Sequence, residues 1–177
     1  TALVFEGDTV SLSSDIHSNK ASATGLEAST EYSYRMGYGD SYTRVHTFKT
    51  VDPDSYNAVV MGDPLLGAGE SLYTDAVSWA NTVGKALEDF GDAGFILSAG
   101  NQVDDGTSSE QYLGLFMAAQ LDSMPLATAV GEHDYSSPYC LYPYVFNHPN
   151  QFGRDGTPIA GGDYWFRYGS TLYMVLN

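Results

Sequence analysis

The stretch Tyr56-Asn57-Ala58-Val59-Val60-Met61-Gly62-Asp63-Pro64 is a short apolar, β-rich run that stops on a glycine and a carboxylate. The same device recurs twice. Phe95-Ile96-Leu97-Ser98-Ala99 runs into Gly100-Asn101-Gln102-Val103-Asp104, and Met124 to Val130 runs into Gly131-Glu132-His133-Asp134. Between the first two runs, Leu72, Ala76, Trp79, Val83, Leu87 and Phe90 recur at three- and four-residue steps. That is one face of an amphipathic helix from Ser71 to Phe90, stopped by Gly91. Between the second and third runs, Thr107-Ser108-Ser109-Glu110 is a capping-box pattern opening a helix that carries Leu113, Phe116, Met117 and Leu121. The order β-α-β-α-β predicts an α/β fold with a parallel sheet and crossover helices.

Ligands of open α/β sheets bind in the crevice beyond the carboxyl ends of the strands. Each of the three strand ends carries a glycine followed at once by a carboxylate or amide. The glycine is expected to let the chain turn off the strand and aim the next side chain into a shared crevice. Asp63, Asn101, Asp104, Glu132 and His133 are therefore expected to converge. Oxygen donors with a histidine nearby suit a hydrolytic metal site for Mn, Zn or Fe. Any one Asp or Asn after a strand is more commonly a satisfier of loop amides, and three in register are what favour the site. His133, flanked by Glu132 and Asp134, is placed to donate a proton to a leaving group.

Outward from this core the texture changes at Val51-Asp52-Pro53-Asp54-Ser55, a linker between residues 1–50 and 56–177. Before it, Glu31 to Met36 and Thr43 to Phe48 alternate with period two around Gly37-Tyr38-Gly39-Asp40, a hairpin pattern, and Val4-Phe5 and Thr9 to Leu12 are shorter candidate strands. At the other end, Tyr164 to Tyr168 and Thr171 to Leu176 flank Gly169-Ser170 as a second hairpin, whose last strand is expected inside the sheet. Tyr135 to Gly162 reads as a long Tyr/Pro/Gly-rich connection, and long connections are often functional. Its tyrosines Tyr135, Tyr139, Tyr142 and Tyr144 are expected to pack over the loop. His17, His46 and His148 lack ligand-spaced partners and are expected at the surface.

Composition narrows the function. The chain has 22 acidic against seven basic residues, a net charge of −15, and the basic residues form no stripe able to neutralise a phosphate backbone, so nucleic acid is excluded as a partner. The acidity is read either as a solvated surface or as cation-binding carboxylates. The single Cys140 excludes an internal disulfide framework and a Cys-rich zinc module. No apolar run approaches the roughly 18 residues of a membrane span.

The order Gly-Asp-Pro, Ser-Ala-Gly-Asn-Gln-Val-Asp and Ala-Val-Gly-Glu-His-Asp resembles the first three metal motifs of the calcineurin-like metallophosphoesterases, and within them the purple-acid-phosphatase-like branch. In that branch a fibronectin type III-like domain precedes the catalytic domain. Ala23 to Leu26, Glu31 to Arg35 and Thr47 to Thr50 are similar to the end of such a sandwich, with Leu26, Thr30 and Tyr32 at its tyrosine corner. Gly161 to Phe166 and Met174 to Asn177 also look like that branch.

The resemblance implies phosphoester hydrolysis by two bridged metal ions, Fe, Zn or Mn, and a secreted or extracellular protein. It implies Asp63 as a ligand of the first metal, Asn101 at the place of the bridging Asp and Asp104 at that of a ligating Tyr. Glu132 stands for an Asn ligand of the second metal, and His133 for the His that assists at the phosphate. Two departures weaken this centre. Asn101 offers a neutral carbonyl where two dications need a bridging anion, and the family's later His motifs, including Gly-His-x-His, are absent from the sequence. About 50 residues also precede the linker where such a sandwich takes about 100. The expectation is a segment of a longer polypeptide, or a chain that completes its sheet with a partner or a second copy through an open edge. Two readings are compatible with this: a metal-dependent phosphoester hydrolase, inactive or weak in this segment, and a catalytically degenerate extracellular module that serves structure or self-assembly.

Overall fold

The computed structural model describes residues 3–152 and 162–176, so Gly161 and Asn177, which carry part of the resemblance, lie outside the described residues. The chain opens with an antiparallel ribbon of β1 (Gly7–Ser11) and β2 (His17–Ala21). Val4 and Phe5 belong to no strand. β3 (Glu31–Tyr34) leads into a small inner ribbon of β4 (Gly37–Tyr38) and β5 (Ser41–Tyr42), and returns as β6 (His46–Lys49), which pairs with β3. The Tyr32 hydroxyl accepts the Glu27 N–H at 2.8 Å, and its ring stacks on Phe48. The described strands before Val51 form three two-stranded ribbons, and the fibronectin type III-like sandwich stays a matter of resemblance.

These ribbons are tied to the later part of the chain. The Ser18 hydroxyl donates to the Tyr144 carbonyl at 2.6 Å, the Lys20 ammonium to the carbonyls of Pro143 and Phe146, and the Tyr34 hydroxyl to the Asp122 carbonyl at 2.8 Å. Asp122 also pairs with Arg44 and lies 3.4 Å from the ring of His46, which stacks on Tyr34. His46 is thus packed rather than surface-lying.

β7 (Asn57–Met61), β8 (Ala93–Ser98) and β9 (Leu126–Thr128) form the expected parallel sheet in that order. α1 (Leu72–Asp89) and α2 (Ser109–Leu115) make the crossovers. Ser71 caps α1 by accepting the Thr74 N–H, and Ser108 caps α2 through Gln111. Ala76, Trp79 and Val83 of α1 meet Tyr112 and Leu115 of α2 over Ile96 in one buried cluster. Trp79 satisfies its indole N–H on the Leu115 carbonyl at 3.1 Å. Two apolar assignments differ from the pattern. α2 ends at Leu115, so Leu113, Phe116 and Met117 are exposed and Tyr112 and Leu115 face inward; Phe90, the cap residue of α1, is also exposed.

The opposite face of the sheet is covered by a ribbon of its own. The connection after β9 holds a one-turn helix, α3 (Tyr142–Val145), and then come β10 (Tyr164–Tyr168) and β11 (Thr171–Val175), turned at Gly169-Ser170. β11, expected inside the parallel sheet, lies instead in this separate two-stranded ribbon. Alternation explains the placement. Phe166, Tyr168 and Tyr173 pack around Phe95, with Tyr56 alongside, while Trp165, Leu172, Met174 and Leu176 face outward and are exposed. Tyr164 and Tyr168 fasten the ribbon by donating to the Thr128 and Gly94 carbonyls.

His148, expected at the surface, lies in an aromatic box. Its ring stacks on Tyr164 at 4.2 Å between centroids, neighbours Tyr142 and Phe146, and bonds the Thr128 hydroxyl at 2.9 Å. Burial, helped by the Lys20 charge, pushes its pKa down to about 4. Of the loop tyrosines only Tyr142 is fully buried, whereas Tyr139 is 82% exposed.

Candidate functional site

The sheet register brings the three strand ends level. Met61 pairs with Ser98, and Ser98 with Thr128, so the segments beyond them all leave the same edge. There the first two are laced together by backbone bonds: Asp63 N–H to the Gly100 carbonyl at 3.0 Å, Leu65 N–H to Asn101 at 2.9 Å, and Asp104 N–H to Leu66 at 3.0 Å.

The turn is made differently from the expectation. At the first strand end the left-handed conformation falls on Asp63 itself (φ 49°) and not on Gly62; at the second it falls on both Gly100 (φ 112°) and Asn101 (φ 49°). Asp and Asn tolerate this conformation better than other residues with a side chain. Gly131 serves close approach instead, since a Cβ there would come within 2.3 Å of the Asn101 backbone nitrogen.

Four of the five expected residues meet. The Asn101 side-chain N–H donates to Asp63 Oδ1 at 2.8 Å, and the Asn101 Oδ1 accepts the His133 backbone N–H at 3.1 Å. His133 Nδ1 lies 3.0 Å from the Asp104 carbonyl oxygen and 3.1 Å from its carboxylate. A carbonyl only accepts, so Nδ1 carries the hydrogen, and in the neutral ring Nε2 is the accepting nitrogen. Glu132 is the exception: it is exposed and makes no hydrogen bond or ion pair with the described residues. Asp105, next to the cluster, is held below the usual carboxylate range by the Thr107 backbone N–H and hydroxyl that it accepts.

Two residues outside the expected set hold the site in shape. Asp134 is fully buried; its Oδ1 accepts the N–H of Gln102 (2.9 Å) and Val103 (3.3 Å), and its Oδ2 that of Gly131 (2.9 Å). Burial pushes its carboxyl up, against the pull of those three donors. Gln102, also fully buried, accepts the Ser98 hydroxyl at 2.7 Å and donates to the Ala129 carbonyl at 2.9 Å, joining β8 to the third strand end. The sequence carried a signal for both: each is a polar residue immediately inside a motif otherwise read as ligands.

These side chains do not fit the two-metal cage implied by the resemblance. Both ends of the Asn101 amide are engaged within the protein, Asp104 is turned to His133, and Glu132 is exposed and bonded to none of them. Among the described residues no group of three or more His, Cys, Asp or Glu side chains is arranged to hold a metal ion.

No protein-family model matches the sequence, and no curated protein matches it. Among solved structures, the chain is similar to a purple acid phosphatase isolated from yellow lupin (Lupinus luteus) seeds, with a TM-score of 0.59 and 17% identity, over 86% of this chain and 31% of that one. The likeness is one of fold. It shows a shared fold over most of this chain, and this chain spans about a third of that enzyme's length. No helix among the described residues is long and apolar enough to cross a membrane.

Proposed function

We propose that the chain is a metal-dependent phosphoester hydrolase of the purple-acid-phosphatase type, with residues 56–177 as the N-terminal half of its catalytic domain, and that this segment by itself is inactive or weakly active. The observation that carries this is the convergence of Asp63, Asn101, Asp104 and His133 beyond one sheet edge, in a fold shared with a purple acid phosphatase. In this reading the phosphoester enters the crevice beyond the three strands. Water attacks phosphorus as the bond to the leaving oxygen breaks; Asp63 offers an anionic oxygen at the rim, and His133 in its doubly protonated form, held through Nδ1 by Asp104, gives its Nε2 proton to that leaving oxygen. Weak turnover results from Asn101, whose neutral amide bonds inward where hydrolysis by paired ions needs a bridging anion. The protein of which it forms part would be secreted or extracellular. The test is hydrolysis of an aryl phosphate monoester and diester with added Mn, Zn or Fe. Turnover near background is expected; robust turnover abolished by Asp63→Ala would overturn the weakness assigned to this segment.

A second reading is favoured by the outer face of the β10–β11 ribbon, where Trp165, Leu172, Met174 and Leu176 are exposed and the ribbon is joined by no third strand among the described residues. Open strand edges add strands from other chains. In this reading the fold is a catalytically degenerate extracellular module that assembles. Light scattering over a concentration series separates the two, because a monodisperse monomer at high concentration contradicts assembly.

A further inference from the structure

We infer that Asn101 is a metal-free clasp: its amide joins the first and third strand ends directly, doing with one donor and one acceptor what a cation between carboxylates would otherwise do. Two independent features carry this. The first is the chemistry of the contact. The amide nitrogen donates to Asp63 Oδ1 at 2.8 Å while the amide oxygen accepts the His133 N–H at 3.1 Å. A carboxylate at this position could still accept from His133, but against Asp63 it would set oxygen on oxygen, an arrangement that needs a proton or a cation between them.

The second feature is the backbone. Asp63 and Asn101 both stand in the left-handed conformation (φ 49° each), and their side chains meet in the 2.8 Å contact. Gly131 is pressed against the amide so closely that a Cβ on it would come within 2.2 Å of Asn101 Oδ1. The amide therefore fills the gap between the Asp63 and His133 loops, beside the separate Asp134 and backbone contacts, with no cation needed between the two side chains. Glu132, the remaining carboxylate of the third strand end, stands outside this contact. The clasp is independent of hydrolase activity, because it is read out in stability and not in turnover.

The test is thermal unfolding of the full chain in EDTA and then in about 1 mM Mn²⁺, a concentration at which any micromolar site would be saturated and would raise the midpoint. The wild-type midpoint is expected to move by less than about 1 °C. Asn101→Asp is expected to melt about 4 °C lower in EDTA and to recover in Mn²⁺, because it puts two carboxylates where donor and acceptor stood. A saturable rise of the wild-type midpoint with Mn²⁺ that Asp63→Ala removes would overturn the inference. So would an Asn101→Asp protein as stable in EDTA as the wild type. Should Asn101→Asp fail to fold, calorimetric titration of the wild type with Mn²⁺ decides the question alone: no heat of binding supports the clasp, and micromolar binding contradicts it.

Discussion

The carboxylate of Asp134, on the third strand end, accepts the backbone N–H of Gln102, on the second, at 2.9 Å with both residues fully buried. The same carboxylate holds Val103 and Gly131. One side chain thus closes three backbone donors that no strand ladder satisfies, and the crevice keeps its shape because of it.

Asp134→Ala leaves those three donors buried and unpaired, at a cost of about 3 kcal/mol or more. Asp134→Asn keeps one accepting oxygen but sets its amide N–H against one of the donors, so roughly half that loss is expected. Urea unfolding of both variants measures this. A change within about 0.5 kcal/mol for the alanine variant, the size of an ordinary surface substitution, would remove Asp134 from this role.

Gly131→Ala tests the close approach of the loops. The added Cβ would stand 2.2–2.3 Å from atoms of Asn101, one of them backbone, so the loops must part. A destabilisation of about 2 kcal/mol is expected, in the range of overpacked sites. The His133 and Asn101 backbone amide resonances should shift along with it. An unchanged spectrum would show that the loops are not in contact.

His148 sets a pH dependence. Its folded pKa of about 4 lies below the ordinary imidazole value of 6.5, so between those values the unfolded chain binds a proton that the folded chain refuses. Stability from this group is complete above pH 6.5 and is lost as pH falls to about 4, by about 3 kcal/mol in all. Denaturant unfolding from pH 7 to 4, compared with His148→Phe, isolates the effect. The difference between the two proteins should shrink or reverse on acidification; a constant offset would place the imidazole in water.

The parallel sheet and its crossovers were legible because apolar runs ending on Gly62, Gly100 and Gly131 alternate with helical spacing capped at Ser71 and Ser108. The meeting of Asp63, Asn101, Asp104 and His133 followed from that order. Glu132 did not join them, because which neighbour in a loop turns inward depends on the local backbone, and at this strand end the inward carboxylate is Asp134. The left-handed turn at Asp63 was hidden for the same reason: a glycine in a motif signals either freedom of φ or close approach, and Gly62 and Gly131 stand for the second. β11 looked like a sheet strand because its alternation says only that one face is buried. It does not say whether that face lies on helices or, as here, across Phe95. His148 carried no spacing signal, since its partners Thr128 and Tyr164 are brought to it by the fold.

The most direct measurement is a double-mutant cycle on Asp63 and Asn101, using Asp63→Ala, Asn101→Ala and the pair, with unfolding free energies in EDTA. The contact joins a charged acceptor to an amide donor at 2.8 Å in an exposed setting. A coupling of about 1 kcal/mol is therefore expected, in the absence of any metal. Additivity within about 0.3 kcal/mol would contradict the clasp between the strand ends on which the reading of this site rests.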